Sequence, residues 1–180
     1  MKKLLPATLL LICFLLPVIV ISSSHGAPTG TTSKFQKHLK GKLVGLNGKR
    51  VSRRELSGDP EFYVFYFSAH WCPPCRSFTP KLVNFYNNND AAGKKFEIIF
   101  VSSDNSEDQM EDYIKEDKMP WPAIKYRYAK KIKDINKYAG SGIPCLVMVD
   151  REGKIISNSY EGSNYVGPSK VMRDLADAVK

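Results

Sequence analysis

Cysteine is scarce in this chain, four among 180 residues, and only Cys72 and Cys75 stand close together. No second CxxC and no close His/Cys pair accompanies them, and a set completed by His70 and Cys145 would be unusual, so the pattern argues against zinc and no metal is expected. Repeats and low-complexity tracts are absent too, which leaves one ordinary globular domain. A basic face studded with aromatics is missing, as is any nucleic-acid motif. The formal charge of +9 therefore reads as a solvated basic surface that favours acidic partners, with no nucleic acid expected. Lys2 and Lys3 belong to an N-terminal leader, and removing them leaves +7. The remaining excess lies in residues 34–54, in residues 125–137 and at single sites. With 43% of residues apolar, about 140 residues bury an adequate core without staples.

Met1-Lys2-Lys3 ahead of the apolar residues 4–21 has the charged and hydrophobic regions of a secretory signal peptide. Small residues from Ser22 to Ala27 supply the cleavage region, and Pro28 moves the cut to Ser24 or Gly26. Pro6 and Pro17 weaken the same run as a membrane helix, so membrane contact is expected only if the leader stays uncleaved. Cys13 belongs to the leader. The expected division is a signal peptide or N-terminal anchor over 1–26, a flexible lead-in over 27–40 and a folded domain over 41–180. The setting is extracytoplasmic, periplasmic or secreted.

Within the domain, residues 42–46 and 49–51 around Asn47-Gly48 read as a hairpin. Residues 53–56 read as a short helical turn. The run Phe62-Tyr63-Val64-Phe65-Tyr66-Phe67 is too continuously apolar for a half-exposed strand and predicts one buried on both faces. Phe78, Leu82 and Phe85 give the following helix an apolar stripe, and residues 96–102 supply a second buried strand. Ser106 with Gln109 opens a helix that buries Met110, Tyr113 and Ile114. Ile132, Ile135 and Ala139 mark a third amphipathic stretch. Residues 146–149 and 154–156 form an antiparallel hairpin, and a last helix opening at Gly167-Pro168 buries Val171, Leu175 and Val179. Strand and helix in alternation predict an α/β domain with parallel strands at its centre.

Cys72 falls where the apolar strand gives way to a helix. Free N–H groups at the helix start favour thiolate over thiol, which makes Cys72 the nucleophile. Cys75, one turn further in, is placed to attack a mixed disulfide formed on Cys72. Pro73 and Pro74 are tolerated because first-turn N–H groups have no intrahelical partner to lose. A purely structural disulfide across two residues closes a tiny loop and adds little stability, so chemistry is the better use of the pair.

Trp71-Cys72-Pro73-Pro74-Cys75, followed by Pro80, resembles a thioredoxin active site, and Gly142-Ile143-Pro144 resembles the loop that carries the thioredoxin cis-proline. Within that superfamily, Tyr66-Phe67-Ser68-Ala69, Val101-Ser102-Ser103-Asp104 and Met119-Pro120-Trp121 are most similar to the tryparedoxin and nucleoredoxin branch. The likeness runs from about Leu43 to the C-terminus. It implies a thioredoxin-like fold, a central mixed sheet flanked by helices on both faces. It implies a Cys72–Cys75 redox disulfide and substrate backbone pairing at Ile143, beside Pro144. Trp71 is expected to contact substrate. Trp121 either does the same or packs in the core.

The chain departs from the family at Tyr66, where thioredoxins carry a buried Asp that moves a proton of the second thiol. Tyrosine is a poor base near neutral pH, so water or an acidic residue elsewhere takes that role. His70 is either a thiolate stabiliser or a solvated bystander. Cys145 is better read as a small buried strand residue than as a third redox thiol. The function expected is an exported thiol–disulfide oxidoreductase that reduces protein or peptide disulfides, as a monomer without cofactor, using electrons from a donor thiol protein. Two rivals are a thiol peroxidase, against which the CxxC spacing speaks, and a non-catalytic thioredoxin-fold binding module.

Overall fold

The computed structural model of the chain describes residues 32–89 and 95–180. The expected signal peptide over 1–26, and the lead-in as far as residue 31, lie outside the described residues. The aromatic and β-branched run becomes β3 (Phe62–Ser68). Its pleat sends Val64 and Tyr66 to one face of the sheet and Tyr63, Phe65 and Phe67 to the other, all of them buried. β4 (Phe96–Ser102) pairs parallel to it, with Ile98 and Phe100 on the first face and Ile99 and Val101 on the second. β6 (Cys145–Asp150) pairs antiparallel on the other flank, and β7 (Ile155–Asn158) extends that edge. At the far edge, β1 (Leu43–Asn47) and β2 (Arg50–Arg54) form the expected hairpin, joined by Gly48 and Lys49. Gly48, at φ 60°, takes the first of the two turn positions, where glycine meets no steric penalty. A two-residue strand, β5 (Ala123–Ile124), completes the order β2-β1-β5-β4-β3-β6-β7.

Helices cover both faces. α2 (Pro73–Asn89), α3 (Glu107–Glu116) and α6 (Pro168–Ala178) pack on one core with Phe78, Leu82, Met110, Ile114, Val171 and Leu175. α1 (Lys34–Leu39) and the short α4 (Tyr126–Ala129) and α5 (Lys133–Asn136) lie on the other. Ser106 caps α3, its hydroxyl accepting from the Gln109 N–H at 3.2 Å, as its sequence signature implies. β8 (Tyr160–Glu161) and β9 (Asn164–Tyr165) make a separate small hairpin.

Several expectations need correction. Residues 34–39, read as part of a flexible lead-in, form α1. Phe35 and Leu39 are fully buried, with Phe35 4.9 Å from the Tyr63 ring and 5.2 Å from that of Phe65. The helix is tied down at its start. Ser33 caps it, and Asp59 accepts from both the Ser33 N–H at 3.0 Å and the Tyr63 hydroxyl at 2.7 Å. Residues 53–56 contain no helical turn, because β2 continues to Arg54 in register with Leu43. On α2 the buried stripe is Cys75, Phe78, Thr79, Leu82 and Tyr86, with Phe85 turned half outward. Ala139 is exposed and Val179 half-buried.

Candidate active site

The chain leaves β3 at Ser68 and enters α2 at Pro73. Between them the Cys72 N–H donates to the Ala69 carbonyl at 3.2 Å, and the Cys72 carbonyl accepts from Arg76 at 3.1 Å. The Cys72 Sγ accepts the Cys75 N–H at 3.3 Å. Cys72 is thus the cap of α2, its sulfur standing where a serine or aspartate oxygen usually stands. Pro73 and Pro74 follow where no N–H is required. The sulfur meets the positive end of a 17-residue helix, which favours the thiolate. Cys72 and Cys75 are joined as a disulfide with Cα atoms 5.2 Å apart.

Cys75 is fully covered and Cys72 is 3% exposed, so the two sulfurs differ less in access than their places on the helix suggest. Ala69 and Ile143 pack against the pair. The Ile143 carbonyl lies 3.8 Å from the Cys72 Sγ, and the Ile143–Pro144 peptide bond is cis. Pro144 is buried and its carbonyl accepts from the Tyr165 hydroxyl at 2.8 Å. Trp71 is 53% exposed, and its indole N–H donates to the Ser103 carbonyl at 3.3 Å. Cys72, Cys75, Trp71, Ile143 and Pro144 therefore come together at one end of the sheet.

Trp121 does not join them. It is fully buried, edge-on to Tyr66 and Tyr86, with its indole N–H unpartnered among the described residues. The segment framed by Pro120 and Pro122 runs inward to β5, and the large apolar ring follows it into the core. Core packing is thus the reading of Trp121 that holds.

Beneath Cys75 lies a cluster of four hydroxyls that the sequence did not announce as a group. Tyr66 Oη is 2.8 Å from Thr79 Oγ1 and accepts from the Ser68 hydroxyl at 3.0 Å. Tyr113 Oη bonds Thr79 Oγ1 and lies 3.0 Å from Ser68 Oγ. Thr79 also donates to the Cys75 carbonyl at 2.9 Å. Burial pushes the Tyr66 phenol well above its ordinary pKa and raises that of Tyr113 as well, so both stay neutral. Tyr66 is a donor and spacer under the helix, not a base. One signal was readable: Thr79 follows Cys75 by four residues, one helical turn.

Charged groups gather on the α3 side. His70 Nε2 is 2.9 Å from Glu116 Oε2, its ring stacks on Tyr113, and its backbone N–H donates to buried Asp104 at 2.7 Å. Arg76 approaches Glu116 at 3.6 Å. Next to them, burial raises the Asp117 carboxyl above its ordinary value, against the opposing pull of Arg76 and His70. Asp117 is an acidic neighbour of Arg76 and His70 that nothing in its sequence context marks. Cys145 sits as its reading as a small buried strand residue has it, fully buried on β6, with desolvation pushing its thiol up.

A mixed sheet with this strand order, and a disulfide capping the helix that leaves its central strand, define the thioredoxin-like thiol–disulfide oxidoreductases. The model of the thioredoxin-like family matches residues 60–155, and the chain belongs to that family. Its curated relatives include nucleoredoxin from Bos taurus, 43% identical over 124 residues, which are 68% of this chain and 28% of that protein. They also include tryparedoxin from Trypanosoma brucei brucei, 35% identical over 149 residues, covering 76% of this chain and 99% of the relative. The chain thus spans less than a third of nucleoredoxin and nearly all of tryparedoxin. Among solved structures, tryparedoxin I from Leishmania major aligns over 82% of this chain and 93% of its own, at a TM-score of 0.56 and 32% identity. The relatives place the chain in the tryparedoxin and nucleoredoxin branch.

Proposed function

We propose that the protein is exported and reduces protein or peptide disulfides through Cys72 and Cys75. The observation that carries this reading is the Cys72 sulfur at the start of α2, accepting the Cys75 N–H and lying 3.8 Å from the Ile143 carbonyl. In the reduced protein the Cys72 thiolate attacks one sulfur of a substrate disulfide. A Cys72–substrate bond forms, and the other substrate sulfur leaves as a thiolate. Cys75, having lost its proton, attacks the Cys72 sulfur and expels the second substrate thiolate. The substrate gains two electrons, and the protein is left as its Cys72–Cys75 disulfide. A donor thiol protein restores the dithiol. Trp71 offers its exposed ring to the substrate, and Ile143 its backbone, held by Pro144. The protein works as a monomer.

Trapping tests the division of labour. With Cys145 replaced by Ser in both variants, Cys75→Ser accumulates reductant-sensitive mixed disulfides with substrate proteins, and Cys72→Ser traps almost none. Equal trapping, or more with Cys72 absent, refutes the mechanism. Export rests on the leader sequence alone. We expect N-terminal sequencing of the native protein to begin near Ala27, and an intact Met1 on soluble cytoplasmic protein would exclude export.

A further inference from the structure

Residues 125–137 hold six cations, Lys125, Arg127, Lys130, Lys131, Lys133 and Lys137. Some are engaged. Lys125 donates to the Gly41 carbonyl at 2.8 Å, Lys137 lies over the Tyr138 ring at 5.0 Å, and the one acid in the stretch, Asp134, faces His38 at 3.3 Å. Arg127, Lys130 and Lys131 are exposed, Arg127 with its guanidinium 4.9 Å from the Tyr128 ring centre, and among the described residues none of the three forms an ion pair. Together with Ser102, Tyr126 and Ala129 they line a depression of about 230 Å³ without an acidic side chain in its walls.

The position of this ledge gives it meaning. β3, β4 and β5 run parallel, so their C-terminal ends deliver Cys72, Ser103–Asp104 and α4 to one end of the sheet, where ligands of α/β folds bind. Trp71, next to the nucleophile, donates to the Ser103 carbonyl at 3.3 Å, and Tyr126 donates to the Asp104 carbonyl at 3.3 Å. Arg127 comes directly after Tyr126. Asp104 lies nearby, but it is buried and already accepts from Ser102 and the His70 N–H.

We propose that this basic ledge docks an acidic segment of the disulfide substrate, with carboxylates flanking the cystine held by Arg127, Lys130 and Lys131 while Cys72 reaches the sulfur. The inference rests on the reductase reading above. Three cations free of carboxylate partners among the described residues, at the same end of the sheet as the reactive centre, raise the local concentration of an anionic chain and speed its encounter. Such attraction is screened by salt over about 10 Å at 0.1 M.

The test uses matched disulfide peptides flanked by Glu, Gln or Lys, with the neutral bis(2-hydroxyethyl) disulfide as a control. We expect kcat/KM for the Glu peptide to exceed that for the Gln peptide roughly tenfold at low ionic strength, and the Lys peptide to be slowest. The preference falls as KCl rises. The exposed triple variants R127Q/K130Q/K131Q and R127E/K130E/K131E abolish and invert it, respectively, with turnover of the neutral disulfide unchanged. Equal rates for the three peptides, or a preference that survives in both variants, overturns the docking proposal while leaving the reductase reading intact. A protein inert towards every disulfide, the neutral one included, overturns both. Micromolar binding of single-stranded RNA at 0.15 M salt, lost in the variants and with no peptide preference, assigns the ledge to nucleic acid and likewise overturns it.

Discussion

Replacing Tyr66 by phenylalanine removes one oxygen from the cluster under Cys75 and leaves the ring in place. Each neighbour of that oxygen keeps another partner. Thr79 retains Tyr113 and the Cys75 carbonyl, and Ser68 retains Tyr113 at 3.0 Å. No buried polar group is orphaned, so the loss is that of one or two ordinary hydrogen bonds, about 1–2 kcal/mol. For a domain of this size that is a fall in Tm of roughly 2–8 °C. Because burial holds the Tyr66 phenol well above its ordinary value, its protonated form supplies stability below the unfolded pKa of about 10. That stability is lost as pH rises above it. Tyr66→Phe should therefore lose stability less steeply than the wild type in alkali, as followed by near-UV circular dichroism. Insulin reduction should persist with an unshifted pH–rate profile below pH ~9. A general base contributes about 10²–10⁴-fold. A loss of that size in a folded variant, or a displaced profile, would refute the assignment of Tyr66 as a neutral donor.

Two further outcomes follow from burial and exposure. Phe35→Ala should destabilise the domain by about 3–5 kcal/mol in urea unfolding, whereas a loss below ~1 kcal/mol would show that α1 is not integral to the core. Trp71→Ala should change stability by no more than about 0.5 kcal/mol. It should still lower kcat/KM for protein disulfides about tenfold, as loss of an aromatic contact does, while sparing a small neutral disulfide. Equal losses on both substrates would assign Trp71 to the geometry of the redox pair rather than to substrate contact.

What the sequence showed and what it hid divide along physical lines. β3 and β4 were legible because strands buried on both faces need a continuous apolar run, and residues 62–67 and 98–101 provide one. The redox pair and the Ile143–Pro144 loop were legible because each is a short linear pattern. β5 was not, since two residues carry no period; it exists through pairing with Leu43 and Val44 on one side and Phe100 on the other. α1 hid because Phe35 and Leu39 are its only apolar residues, and its partners in the core lie in distant strands. The family likeness put the Trp121 loop near the surface of Trp71, although the chain there turns inward. The hydroxyl cluster draws on β3, α2 and α3, with Ser68 and Tyr113 45 residues apart, so no local pattern reveals it. Asp117 escaped for the same reason, being defined by what surrounds it.

The Cys72 sulfur is both the atom that reacts and the acceptor that holds the first turn of α2 together. Passage of this sulfur between thiolate and disulfide changes its charge, and a thiolate accepts a hydrogen bond more strongly than a disulfide sulfur. The Cys75 amide bonded to it at 3.3 Å therefore feels each redox step directly. Its proton resonance and solvent-exchange rate form an internal electrode, by which a redox titration is followed at a single backbone position without dye, label or coupled enzyme.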